Sequence, residues 1–286
     1  MNITINEDKK QKKLKITYIG VLIICIISII AALVIQMTKQ TTTSSNNNTG
    51  NKVSEITNNK ISENRQEFND IFENKVNYLE NNAYKISKTN QDKEIVYIGY
   101  QNNESKVNDY ELDVNIPYIN INNEVVKEFN TQIRNIFETK AKSVLNSQNN
   151  NVIYTVNYSA YVANNILSVI VRSTLKEGTN PQRDIVQTYN YDLINQKKCT
   201  IEDMLELKGI TKKEAGQKIK KEIKNVQEKV EELANLGYSV YARDYTSDIY
   251  NINNVTEYFM GNNNALYIIY AYGNDNHTSE MDIVVM

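Results

Sequence analysis

A chain of 286 residues, 41% of them hydrophobic, can bury a sizeable core as one large or two small domains. Its formal net charge of -2 is unevenly placed: residues 1–15 carry five lysines against Glu7 and Asp8, so the rest of the chain holds -5, which disfavours a nucleic-acid partner. One histidine, His277, and two cysteines, Cys25 and Cys199, supply neither the usual ligand set of a zinc site nor a disulfide framework, and no cofactor is expected.

In chain order the first element is the run at 16–35, ITYIGVLIICIISIIAALVI, which contains no charged residue and no proline. At about 1.5 Å per residue a helix of this length covers the roughly 30 Å hydrocarbon core of a bilayer, so a transmembrane helix is expected over 16–37. A signal peptide has an apolar core of about 7 to 15 residues and a small-x-small cleavage site. This run is longer and leaves through Gln36, Met37, Thr38 and Lys39. Lys9, Lys10, Lys12, Lys13 and Lys15 crowd its N-terminal side, while only Lys39 and Lys52 follow closely. The positive-inside rule then puts a tail of residues 1–15 in the cytoplasm. The expectation is a single-pass protein of the cell membrane whose C-terminal domain is extracellular and whose first partner is the lipid bilayer.

Residues 38–66 are polar and poor in large apolar side chains, as in a flexible stalk. Phe68, Ile71, Phe72, Val76, Leu79 and Ala83 recur at helical spacing and predict an amphipathic helix over 67–85. Strands are expected at 94–101 and 110–121, with Pro117 marking an edge position or a strand end. A longer helix follows over 123–145, its apolar stripe formed by Val126, Phe129, Ile133, Ile136, Phe137 and Val144. Strands at 152–163, 166–176 and 185–194, separated by Asn164-Asn165 and by a loop at 177–181, read as an antiparallel meander. Thr200 opens a short helical turn that Gly209 closes. Thr211 and Glu214 form a capping box at the start of a helix carrying Ala215, Ile219, Ile223, Val226, Val230 and Leu233 on one face and ending at Gly237. Strands at 238–242, 256–260, 265–272 and 281–285 complete the chain. The fold class is α+β: an N-terminal transmembrane helix, then antiparallel sheet or sheets with two long amphipathic helices.

Chemistry is sparse. A Ser-His-Asp apparatus would have to use His277, in a loop-like stretch with Asp275 near it and no Gly-x-Ser-x-Gly elbow in the chain. Phosphate loops are absent. Two carboxylates can cleave glycosides, but the sequence does not select a pair. The lysine-rich helix at 212–224 is diluted by glutamates and reads as a solvated face. Tyrosine is the unusual abundance, with 20 in the chain. Tyr267, Tyr270 and Tyr272 crowd one predicted strand, where aromatic rings either serve the core or stack on a sugar or a protein.

From Tyr110 onward the order of segments resembles the extracytoplasmic domains of RsiV-type anti-sigma factors and PdaC-like peptidoglycan deacetylases, a domain of unknown function. The resemblance rests on Asn115-Ile-Pro-Tyr-Ile-Asn-Ile and the helix with Asn130, on Asn165-Ile-Leu-Ser-Val-Ile, on Thr188-Tyr-Asn-Tyr-Asp-Leu with residues 197–205, and on Leu266-Tyr-Ile-Ile-Tyr-Ala-Tyr. It covers about 60% of the chain. It implies a PdaC-like N-terminal subdomain over 67–145 and an RsiV-like C-terminal subdomain over 146–286. It also implies an envelope-facing, non-enzymatic binding or sensor module that meets a lysozyme-like (muramidase-like) protein or peptidoglycan. Tyr272 matches the family's strand-end tyrosine, with Ala271 where a proline commonly precedes it, and Ser168 matches a position near the family's binding face. With Tyr270 these are the expected ligand-binding residues; catalytic and metal-binding residues are not expected. An anti-sigma or signalling role is the first alternative, against which the short tail counts, and a carboxylate-based cell-wall enzyme is the second.

Overall fold

The computed structural model describes residues 68, 70–77, 86–146, 151–261, 264–271 and 279–286, which fall in one compact unit spanning 59–286. The tail, membrane span and stalk expected before residue 67 lie outside the described residues. Among those described, no helix is long and apolar enough to cross a membrane.

The larger sheet runs β2 (Val96–Lys106), β3 (Tyr110–Ile119), β4 (Val152–Ala163), β5 (Ile166–Glu177), β6 (Arg183–Asp192) and β7 (Lys197–Lys198) in that spatial order. Asn164 and Asn165, both at positive φ, make the tight turn that sends β5 back along β4 in continuous antiparallel register from Ala163↔Ile166 to Val152↔Glu177. With β6 antiparallel to β5, the expected meander is present. The sheet as a whole is nevertheless mixed, which corrects the expectation of antiparallel pairing throughout. β3 lies parallel to β4 over Tyr110↔Val152 to Val114↔Val156, and the short β1 (Lys75–Asn77) lies parallel to β4 over Lys75↔Ser159 to Asn77↔Tyr161. Since β5 occupies one edge of β4 along its whole length, β1 and β3 share the other, each taking one half.

The parallel pair exists because a helix makes the crossover between β3 and β4, as parallel neighbours require. Asn123 caps it by accepting from the Val125 amide, and it runs as α1 (Glu124–Ile133), a π-helical stretch (Arg134–Glu138) and α2 (Thr139–Leu145). Its stripe of Val126, Phe129, Ile133, Phe137, Ala141 and Val144 packs on Leu112, Val114, Tyr154, Val156 and Tyr189 of the sheet. β3 pairs with β4 only as far as Val114, so Pro117 sits in the one-sided part of its strand, opposite a bulge in β2 between Ile98 and Tyr100.

Two sequence expectations fail for one reason. Within the helix expected over 67–85, Phe68 and Asp70 are helical but the chain turns after Asp70 and enters β1, while 78–85 lie outside the described residues; the strand expected at 238–242 is irregular backbone. Short apolar periodicities do not decide between elements when the partner is distant in sequence. β1 is held by such partners: the Asn74 side chain donates to Asn157 at 2.7 Å and accepts from the Tyr158 amide at 2.9 Å.

Beyond β7, Thr200 with Asp203 caps α3 (Ile201–Leu207), and Thr211 with Glu214 caps α4 (Lys212–Asn235), both as reciprocal capping boxes. Both helices end on a left-handed glycine: Gly209 and Gly237 donate to Glu206 and Ala234, and the next amides, Ile210 and Tyr238, reach back to Leu205 and Leu233. The chain then forms a second sheet in the order β10 (Met281–Val285), β9 (Leu266–Ala271), β8 (Glu257–Met260), antiparallel throughout. One face of this small sheet, with Phe259, Tyr267 and Ile269, packs on Tyr161, Ile170 and Val186 of the large sheet. Its other face, with Met260, Leu266, Ile268 and Tyr270, receives Met204, Ala215, Ile219 and Ile223 from α3 and α4.

The two sheets are joined by side chains. The Ser168 hydroxyl donates to Asn190 Oδ1 at 2.7 Å and accepts from the Met260 amide at 3.1 Å; Asn190 Nδ2 donates to the Tyr258 carbonyl at 2.8 Å; and Thr188 Oγ1 accepts from the Tyr258 amide at 3.1 Å. The edge of β8 thus finds its partners on β5 and β6 without a backbone ladder. Glu257 closes the row, accepting from the Thr188 amide at 2.6 Å, the Thr188 hydroxyl at 3.0 Å and Gln187 Nε2 at 3.3 Å.

Two outcomes follow from this seam. Ser168→Ala strips the partner from a buried amide and is expected to lower unfolding stability by about 1 to 3 kcal/mol in denaturant titration; an unchanged midpoint would count against the seam. Burial pushes the Glu257 carboxyl up to about 7, outweighing the Thr188 donors that favour its charged form. A carboxyl raised in the folded state contributes most below its unfolded value near 4.5. That contribution is lost as pH climbs toward about 7. Glu257→Gln removes this loss, so the melting temperature of the variant minus that of the wild type should rise from pH 5 to pH 8; a flat difference refutes the assignment.

Candidate functional site

α4 is longer than the core beneath it. Its first half buries Ala215, Ile219 and Ile223, and the same stripe continues outward as Val226, Val230 and Leu233, which are only partly covered. These residues form one wall of a cleft of about 560 Å³. Val240 in the irregular segment after α4, Met281 and Ile283 of β10, and Phe68 supply further apolar lining.

Charge enters the cleft from Lys229 and from two arginines that hold its carboxylates. Arg172, on β5, binds Asp184 Oδ2 through Nη2 at 2.6 Å, while Gln182 donates to Asp184 Oδ1 at 3.2 Å and the Arg172 guanidinium lies 5.8 Å from the centre of the Phe72 ring. Arg243 is almost wholly buried; its Nε lies 3.2 Å from Asp282 Oδ2, its Nη1 2.8 Å from Glu280 Oε2, and Nη1 also donates to the Tyr241 carbonyl. Tyr250 donates to Asp282 Oδ2 at 3.1 Å. Burial alone would lower the Arg243 pKa, but Asp282 and Glu280 together hold it above its ordinary value. The Tyr250 hydroxyl is raised by burial and by the Asp282 charge. Each carboxylate lining the cleft is therefore engaged by an arginine of the same cleft. That arrangement fixes charge in place beside an apolar wall, which suits recognition of a ligand with both apolar and polar parts.

Ser168 and Tyr270, the sequence-predicted residues that are described, do not line this cleft. Ser168 is fully buried, its hydroxyl committed to the seam between the sheets. Tyr270 is buried against α4, its ring 5.0 Å from that of Tyr250 in an edge-on contact, and its hydroxyl has no hydrogen-bond partner. Burial raises the Tyr270 pKa. Tyr272 and His277 lie outside the described residues. Tyr267 stacks on Phe259 with ring centres 4.6 Å apart, inside the packing between the sheets. Cys199 is buried among the residues that hold α3, and burial pushes its thiol up to about 12. Among the described residues no group of three or more His, Cys, Asp or Glu side chains could hold a metal ion.

Sequence reasoning missed Arg172 and Arg243. A usable signal was present: only five of the 32 basic residues are arginine. In a chain that takes lysine for its surface charge, an arginine within an apolar strand (Val171-Arg172) or between aromatic and acidic residues (Tyr241, Asp244) marks a position that needs a planar, bidentate donor.

The sequence matches no family model and no curated protein. Solved structures that share some likeness include two DUF3298 family proteins. One, from Pseudomonas aeruginosa PAO1, has 11% identity, a TM-score of 0.37, and coverage of 61% of this chain and 80% of its own. Another, from Bacteroides fragilis, has 12% identity, a TM-score of 0.29, and coverage of 62% and 80% respectively.

The Arg243 cluster yields a stability prediction. Arg243→Met removes the guanidinium from two carboxylates, one of them buried, and should cost roughly 3 to 5 kcal/mol in chemical denaturation. Adding Asp282→Asn should restore part of that loss. A double variant no more stable than Arg243→Met would show that the guanidinium acts through packing alone.

Proposed function

We propose that this chain is a membrane-anchored, extracytoplasmic binding module of the bacterial cell envelope, without enzymatic activity, and that the cleft beside α4 recognises a muramidase-like protein or peptidoglycan. The observation that carries the reading is the uncovered outer half of the α4 stripe. Val226, Val230 and Leu233 face a concave space whose carboxylates are fixed by Arg172 and Arg243. The apolar run at 16–35 with its preceding lysines supports the anchor and the orientation. The sequence resemblance to the RsiV-type and PdaC-like domains supports the envelope-facing ligand.

The test is calorimetric titration of the full-length chain in nanodiscs with a lysozyme and, separately, with soluble muropeptides. Val230→Lys keeps a good helix former in α4 while placing a charge in the apolar wall. Binding of either ligand should weaken at least tenfold in this variant. Equal affinity in wild type and variant would move the site away from the cleft, and no heat with either ligand would reject the reading.

A further inference from the structure

A second recess lies on the far side of the larger sheet, where the β2–β3 hairpin meets α1. Its volume is about 350 Å³, and it shares no lining residue with the cleft beside α4. Tyr100, Pro117 and Tyr118 form an apolar shelf on the hairpin side. Gly99 permits the close approach that shapes this shelf, because a Cβ there would stand 2.7 Å from Tyr118 Cβ. Tyr118 is braced by its cross-strand neighbour Tyr97, with ring centres 5.4 Å apart, and both rings are only partly covered.

The helix side presents charge, most of it already compensated. Lys127 pairs with Glu124 at 2.6 Å, and Glu138 is engaged by Lys142. Arg134 differs. It opens the π-helical stretch, a local departure from α geometry that recurs at functional sites. Among the described arginines, Arg172, Arg183 and Arg243 each hold a carboxylate. Among the described residues none makes an ion pair or hydrogen bond to the exposed Arg134 guanidinium, which lines the same recess as the tyrosine shelf.

We propose that this recess binds a carboxylate-bearing pyranose, with the sugar ring packed on Tyr118 and its acid received by Arg134. A pyranose offers a C–H face that packs on an aromatic ring and a polar rim that needs donors. An unpaired guanidinium adds bidentate selection for a carboxylate. Once Lys127 and Glu138 are paired, the remaining charge of the recess is positive, which favours an acidic sugar over a neutral one. The inference does not rest on the cleft beside α4 and can hold or fail independently of it.

The experiment is saturation-transfer and titration NMR on the full-length chain in nanodiscs, with N-acetylmuramic acid as the acidic probe and N-acetylglucosamine as its neutral counterpart. The wild type should bind the acidic sugar more tightly. Arg134→Gln, at an exposed and unpaired position, should reduce that affinity to the level of the neutral sugar. Tyr118→Leu should weaken both sugars, by roughly tenfold for one lost aromatic contact. Absence of a response to both sugars in the wild type, an undiminished acidic preference in Arg134→Gln, or unchanged binding of both sugars in Tyr118→Leu would each overturn the proposal.

Discussion

The polar seam between the two sheets is the constraint on which the rest of the architecture depends. An edge strand presents unpaired amides and carbonyls that must be satisfied or solvated. β8 is pressed against the larger sheet, where water cannot reach its edge, and it does not pair with β6 by a backbone ladder. Ser168, Thr188 and Asn190 take the place of that ladder, one side chain for each exposed backbone group. Because side chains set the match, β8 has one acceptable position along β5 and β6. The small sheet, α3 and α4 inherit that position through their shared core. The place of the cleft wall on α4 is thus traceable to three polar residues that never reach its surface.

The cleft adds a second fixed point. A buried arginine and its carboxylates gain little net stability over well-packed apolar residues, since desolvation consumes most of the attraction. What Arg243 does is geometric. Its guanidinium joins the irregular segment after α4, through Tyr241, to the start of β10, through Glu280 and Asp282. The segment at 238–242 has the alternation of a strand but makes no strand pairing among the described residues, and the Arg243 contacts help to hold it.

What could be read in the sequence was whatever is decided locally. The Asn164-Asn165 turn, the Thr211–Glu214 capping box, the terminal glycines of α3 and α4 and the limits of β4 and β10 depend on residues within a few positions of one another, and they stand where expected. The parallel placement of β1 and β3 on β4 depends on contacts across some 40 to 85 residues of chain. Alternation along a strand does not record which neighbour it will have. The burial of Ser168 and Tyr270 was illegible for a related reason. A serine within Ile166-Leu-Ser-Val-Ile can serve a ligand on an exposed face or a backbone group on a buried one, and only the presence of β8 decides between these. The arginines were the better guide, because their scarcity made each one informative.

Tyrosine abundance resolves in the same way. Tyr154, Tyr158, Tyr189, Tyr191, Tyr250, Tyr258 and Tyr270 are buried, and the hydroxyls of Tyr189, Tyr191 and Tyr270 have no hydrogen-bond partner. A buried hydroxyl without a partner costs stability relative to phenylalanine. These rings are therefore present for their bulk in a chain with five phenylalanines and no tryptophan. The strand with the densest tyrosines, β9, is for that reason a poor place to seek a ligand. A tyrosine that meets a ligand must keep part of its ring uncovered and stand near a polar group that no internal partner has claimed. Tyr118 beside Arg134 meets both conditions, on a strand whose only other aromatic is Tyr110.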